Sequence, residues 1–356
     1  MTVRIELRDT MFGEMEQPLV EMGGFRVSTF RYSTGVAAVK LANGRGHLII
    51  LPFKGQQIWR CVMDGHDLSM KSMFDEPIET RNYLETYGAF FIHCGMSVMG
   101  VPGPDDKHPL HGEMPNAPFQ KAWLICDEAK GLITVGGSYH YAVAFTVNYL
   151  ATSTITLGEN DALFDIHLNV ENLKKSPMEL MYLAHANFRP TDNGELIYSA
   201  PYTKESVRVR RSIPSHVKPK AGYKEFIEEL AEHPERHHVL KPGLGFDPEI
   251  VFSIDMQADA HGFAHALLRR PNGAADYIRY RPDQAKKSIR WICRTGEQDA
   301  IGMAFPATAE PEGYTAEKAK GNIVELAGGA TWTIDMRLGG LTAAETAALV
   351  KAIGKA

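Results

Sequence analysis

The sequence predicts an all-β protein: a large antiparallel β-sandwich with a few short helices. Three observations carry this. Apolar and polar residues alternate with a period of two in many runs between Arg26 and Leu338, the pattern of strands with one buried face. Turn-forming clusters of Gly, Asn, Asp and Pro separate those runs. Long helical stretches do not intervene, as a parallel sheet would need, so sheets packed face to face are expected.

Taken in order, strands are predicted at Arg26–Tyr32, Val36–Leu41, His47–Leu51, Thr152–Leu157, Leu163–Val170 and Thr331–Leu338. Turns are predicted at Ala42-Asn43-Gly44-Arg45-Gly46, Gly158-Glu159-Asn160-Asp161, Asp192-Asn193-Gly194 and Pro271-Asn272-Gly273. The run Lys224–Ala231 sets apolar residues at helical spacing against an acidic face. A second helix is predicted over about 342–354, opened by Thr342 as N-cap and Glu345 as the reciprocal partner of a capping box. It is expected to pack on the rim of the sandwich. Neither an internal repeat nor a low-complexity linker interrupts the chain, so residues 1–356 are expected to form a single domain.

Composition narrows the function classes. The chain has 356 residues, 44% of them apolar, and a net charge of −5; no electrostatic footprint for nucleic acid is present. Arg208 and Arg210 alternate with valines, as on the solvated face of a strand. The four cysteines, Cys61, Cys94, Cys126 and Cys293, form no Cys-x-x-Cys pair and suit small buried hydrophobes. The first residues alternate and carry charge, unlike a signal peptide, and no apolar run reaches membrane-spanning length. A cytoplasmic protein without a membrane partner is expected.

Two segments carry chemistry. His108-Pro109-Leu110-His111-Gly112-Glu113 holds two imidazoles and a carboxylate within six residues, and Ala184-His185-Ala186-Asn187-Phe188 ends an apolar strand on a histidine. Imidazole exchanges protons near neutral pH. A carboxylate beside it raises its pKa and fixes its tautomer. Segments so distant in sequence imply a site assembled by the fold.

On Leu110-His111-Gly112, on His185 with Asn187 and Phe188, and on Gly245-Phe246-Asp247-Pro248-Glu249, the chain resembles the aldose 1-epimerase (galactose mutarotase-like) superfamily over about residues 25–340. The Glu directly after His-Gly resembles a divergent, uncharacterised branch. The resemblance implies the galactose mutarotase-like supersandwich and general acid–base interconversion of sugar anomers without a cofactor or metal. It implies His185 as the acid and His111 as a substrate-orienting group. The family's base is a Glu in a late strand; here Pro306 falls at that place, in Gly302–Thr308. Glu113, Glu310 and Glu312 are the candidate replacements. The same Pro306 leaves open a non-catalytic carbohydrate-binding protein.

A metal-dependent sugar isomerase or epimerase is the other reading, with His93, His111, Glu113 and His185 as ligands, a set that suits a divalent transition metal. His93, Asn187, Arg189, Arg81 and Gln57 are candidate substrate-binding residues. Arg81, Arg189, Arg208 and Arg210 together would suit an anionic sugar. Trp59, Trp123, Trp291 and Trp332 are expected in the core, with one available to stack on a sugar. The tract His233, His237, His238 is read as a solvated loop. The expected partner is a small carbohydrate; the sequence leaves the sugar and the oligomeric state open.

Overall fold

In a computed structural model, which describes residues 1–213 and 218–353, the alternating runs pair into two antiparallel sheets. The first has nine strands in the order Thr2–Leu7, Lys121–Asp127, Leu132–Val143, Val147–Gly158, Leu163–Asn172, Thr331–Leu341, Ala275–Tyr280, Ala264–Arg269 and Glu195–Tyr198. The second has thirteen. Its central run is Val207–Val209, Ile250–Ile254, Lys287–Arg294, Asp299–Ala307, Met178–Ala186, Phe91–Met96 and Gln57–Met63. Every predicted strand lies in one of these sheets.

The main core lies between the sheets. Leu124, Val135, Ile155, Phe164 and Leu338 from the first meet Ile58, Phe91, Tyr182 and Ala184 from the second, all buried. Burying each such aliphatic or aromatic side chain contributes about 1.5–3 kcal/mol. The second sheet is apolar on its outer face too. Along Met178–Ala186, Leu180, Tyr182 and Ala184 face the core, whereas Met181 and Leu183 join Trp59, Ile92, Cys94, Trp291 and Phe305 in a second cluster. The loop bearing Tyr83 and Tyr87 covers that cluster. A sheet buried on both faces can hold a polar group deep in a rigid wall.

The predicted helices occur at Tyr223–Glu232 and Ala343–Ile353; residue 354, the expected last residue, lies outside the described ones. The capping box forms: the Glu345 N–H donates to Thr342 Oγ1 (3.3 Å) and the Thr342 N–H to Glu345 Oε2 (2.7 Å). This helix packs on the outer face of the nine-stranded sheet, not on the rim. Leu349, Val350 and Ile353 cover Leu267, Tyr277 and Leu341, which period-two alternation turns away from the core. A further short helix, Tyr314–Ala319, was not predicted.

In the histidine tract only His233 is exposed as expected; His237 and His238 are not in a solvated loop. Pro234–His237 is a 3-10 turn, and His237 is buried, accepting from the fully buried Arg290 guanidinium (2.8 Å) through Nε2. His238 Nε2 pairs with the Tyr198 hydroxyl (2.7 Å). All four cysteines are buried and unpaired. Among the described residues no helix is long and apolar enough to cross a membrane.

Candidate active site

On the outer face of the longer sheet a cavity of about 100 Å³ is walled by Leu183 and His185, Ile289 and Trp291, Phe305 and Glu249. Tyr83, Tyr87 and His111 close it from the loop side. Strand alternation aims these residues outward. Leu183 and His185 are two apart on one strand, Ile289 and Trp291 on another, so each pair shares a face.

His185 is buried, and its Nδ1 lies 2.6 Å from Asn187 Oδ1. The Asn187 amide donates from Nδ2 to the Ala89 carbonyl (3.0 Å), which fixes Oδ1 as the acceptor. Nδ1 of His185 therefore carries the hydrogen, and Nε2 carries the lone pair in the neutral ring. The ring sits among Phe305 (4.1 Å between centroids), Trp291 (5.5 Å) and Tyr87 (5.6 Å). Burial in this aromatic box, and then the charge of His111, hold the His185 pKa well below its ordinary value.

His111 reaches the same space from a tight turn. Its φ is +59°, in the left-handed region that histidine tolerates better than most residues. Gly112 follows at φ +81°, and a Cβ there would stand 2.2 Å from the Val98 carbonyl oxygen. Only glycine lets the turn lie against the Phe91–Met96 strand end, where the Gly95 N–H donates to the His111 carbonyl (2.9 Å) and the Met114 N–H to the Gly95 carbonyl (2.8 Å). The His111 ring meets Tyr83 at 4.9 Å and His185 at 5.6 Å. The two imidazoles expected to converge thus share one pocket.

The carboxylate in this pocket is Glu249, which the sequence reading did not single out as a site residue. Glu249 stands just before the strand Ile250–Ile254. Its Oε1 accepts from Arg210 (2.7 Å) and its Oε2 from Trp291 Nε1 (2.7 Å). Trp291 in turn packs beside His185. Two donors leave each carboxylate oxygen a lone pair for a ligand hydroxyl. The signal was present in Asp247-Pro248-Glu249, but only the pairing of three strands shows where Glu249 points.

The structure does not bring the other candidates to the pocket wall. Glu113 is buried behind it. Its oxygens accept from the Ser97 N–H (2.9 Å), the Ser97 hydroxyl (3.0 Å) and the Tyr149 hydroxyl (2.9 Å), so it anchors the His111 loop. Arg81 clamps that loop by donating to the carbonyls of Asn116 (2.6 Å) and Glu113 (2.8 Å). Gln57 donates to the Pro115 carbonyl (2.7 Å) and Asn116 Oδ1 (2.9 Å). Arg189 is held by the Ser69 carbonyl (2.9 Å) and Asp67 (3.2 Å). Asn187 lies under His185. Glu310 and Glu312 line an adjoining groove.

The four-residue metal set does not converge. His93 pairs opposite Ala184, and His185 opposite Ile92. One register step separates the two histidines, so they project from opposite faces of the sheet. His93 is enclosed between the sheets, with Tyr182 OH at 2.8 Å and Ser153 Oγ at 3.0 Å, and burial pushes its pKa down to about 3. Among the described residues no three His, Cys, Asp or Glu side chains are arranged to hold an ion. Nor do Arg81, Arg189, Arg208 and Arg210 meet: only Arg210 reaches the pocket.

Residues 33–339 match the model of a family described as a domain of unknown function, DUF4432. No curated protein matches the chain. Among solved structures, one from Klebsiella pneumoniae subsp. pneumoniae MGH 78578, whose assignment as an aldose 1-epimerase is provisional, is similar with a TM-score of 0.83. It is 17% identical, with 99% of this chain and 95% of that one covered. A galactose mutarotase-like protein from Clostridium acetobutylicum is similar with a TM-score of 0.59, at 12% identity over 88% and 98% of the two chains. The galactose 1-epimerase of Lactobacillus acidophilus NCFM gives 0.54, at 12% identity over 96% and 98%. At these identities the likeness is one of fold: the galactose mutarotase-like sandwich.

Proposed function

Because the chain belongs to the DUF4432 family and two imidazoles and a carboxylate face one aromatic pocket, we propose that it is an aldose 1-epimerase-like enzyme that interconverts sugar anomers by general acid–base catalysis. The observation that carries the reading is the His111–His185 pair, with ring centroids 5.6 Å apart inside that pocket.

Opening a hemiacetal ring needs a base for the anomeric hydroxyl and an acid for the ring oxygen, and each positioned transfer contributes roughly 10²–10⁴-fold. Burial and the charge of His111 keep His185 neutral. Its Nδ1–H is committed to Asn187, so Nε2 has a lone pair and no proton to give. His185 is therefore the base in our reading, and His111 the acid. This reverses the role that the family pattern implies for His185.

His185 Nε2 takes the proton of the anomeric hydroxyl while His111 gives a proton to the ring oxygen. The C1–O5 bond breaks, leaving a carbonyl at C1 and a hydroxyl at C5. After rotation about C1–C2, that hydroxyl attacks the other face of the carbonyl. His111 recovers its proton and His185 returns its own. The imidazole pair carries one proton throughout, an arrangement favoured when neighbouring groups push two pKa values apart. Glu249, fixed by Arg210 and Trp291, grips sugar hydroxyls. Trp291, Tyr83 and Tyr87 offer faces to the sugar C–H bonds.

The test is one-dimensional exchange NMR on a panel of aldoses and ketoses with purified protein. Catalysed, saturable exchange that disappears in His111→Ala supports the reading. Saturable binding with no faster exchange would replace it by a carbohydrate-binding protein.

A further inference from the structure

A second cavity of about 240 Å³ adjoins the aromatic pocket, with Arg210, Val251, Ile289 and Pro311 lining both. Arg208, Ser253, Glu310, Glu312 and Lys320 line this groove, so it is polar where the first pocket is aromatic. The first pocket, at about 100 Å³, falls below the ~300–1,000 Å³ usual for small-molecule sites. The two together fall at the lower end of that range.

The charges in the groove are already matched. Arg208 makes a two-pronged pair with Asp255 (2.6 and 2.8 Å). Lys320 sits 2.7 Å from Glu310 and 2.8 Å from Glu317, and Arg210 is held by Glu249. Glu310 also accepts from the Ser253 hydroxyl (2.9 Å). Among the described residues Glu312 has no ion-pair partner. A phosphate, carboxylate or sulfonate entering here would find each cation engaged and would lie against two carboxylates. Hydroxyl groups, which both donate and accept, fit alternating donors and acceptors without breaking an ion pair.

We infer that the groove is a subsite for a second, uncharged sugar unit, so that the preferred substrate is a reducing disaccharide whose anomeric end enters the aromatic pocket. The inference rests on the anomer interconversion proposed above. The reacting unit meets the two imidazoles, and the non-reacting unit lies along Ser253 and Glu312. Binding energy from that remote unit positions the reacting one.

The experiment measures kcat/KM for catalysed anomer exchange of lactose, cellobiose and maltose against glucose, galactose and glucose 6-phosphate. At least a tenfold preference for one disaccharide over both monosaccharides is expected. That preference should fall at least fivefold, through KM, in Ser253→Phe, which fills the groove, and in Glu312→Ala, which removes a half-buried acceptor. Thermal melts establish that each variant is folded. Equal or better turnover of the monosaccharides, better turnover of the phosphorylated sugar, or a preference that survives in both folded variants would overturn the subsite while leaving the anomerase intact. Acceleration of no sugar would overturn both readings.

Discussion

Asn187 gives the sharpest handle on the proposed chemistry, because its side chain sets the His185 tautomer, with the Tyr87 hydroxyl a longer second donor to the same oxygen (3.4 Å). Its Oδ1 lies 2.6 Å from His185 Nδ1, and its amide is held by the Ala89 carbonyl. Asn187→Ala removes the acceptor and leaves a buried N–H unsatisfied, at about 1–3 kcal/mol. If that falls on the transition state, it lowers kcat by roughly 5- to 150-fold at ~1.36 kcal/mol per decade. Asn187→Asp keeps an acceptor and adds a negative charge against the ring, which favours the imidazolium and raises the His185 pKa. As the proposed base, His185 is active when neutral, so the rate falls as pH drops through its pKa. In the wild type that pKa lies well below 6.5, so the acidic limb should be displaced far to acid. In Asn187→Asp the limb should move toward neutrality by about one unit or more. The assay is the pH dependence of catalysed exchange, read by NMR, with a melt at each pH. A folded Asn187→Asp enzyme whose acidic limb does not move would refute the assignment of His185 as base. So would wild-type kcat in Asn187→Ala.

Other perturbations probe the frame around the pair. Glu249→Gln should lower kcat/KM about 10- to 100-fold, since a charged hydrogen-bond partner is worth roughly 1.5–3 kcal/mol; steady-state exchange kinetics check this, and an unaffected kcat/KM would remove Glu249 from the site. Gly112→Ala would press a Cβ against the Val98 carbonyl oxygen at a φ of +81°; it should cost about 1–3 kcal/mol in a urea melt and displace His111, and wild-type stability and rate would contradict the account of the turn. Stability should fall on acidification from pH 7.5 to 5. The His93 pKa is lowered to about 3, so the unfolded chain binds a proton below 6.5 that the folded chain refuses, a loss of roughly 2 kcal/mol at pH 5. His185 and His237, also pushed well down by burial, add in the same sense. Buried Asp276, raised to about 7, acts oppositely and gives up its contribution as pH rises. The histidines outweigh it, and a urea midpoint that is flat or higher at pH 5 would show otherwise.

The strands were legible because alternation is local: a run such as Leu163–Val170 states its own period. The imidazoles were legible through motif-like segments, and Gly112 explains why Leu-His-Gly is a turn rather than a strand. What could not be read is which face each residue takes. His93 and His185 look alike in sequence, yet one step of register between Phe91–Met96 and Met178–Ala186 sends them to opposite sides of the sheet. Glu249 escaped notice because its role depends on Trp291 and Arg210, 42 and 39 residues away. Glu113 looked catalytic beside His111, but a positive φ at His111 and Gly112 turns the chain between them. The His233–His238 tract looked solvated because nothing local announces that Arg290, from a strand more than fifty residues on, needs a buried acceptor.

The most direct measurement uses a freshly dissolved single anomer and follows its conversion with wild-type protein and with His185→Ala. A saturable acceleration by the wild type, absent from a folded variant, is the result predicted for two histidines working in one sheet-bound hollow. Equal acceleration by both proteins would contradict it.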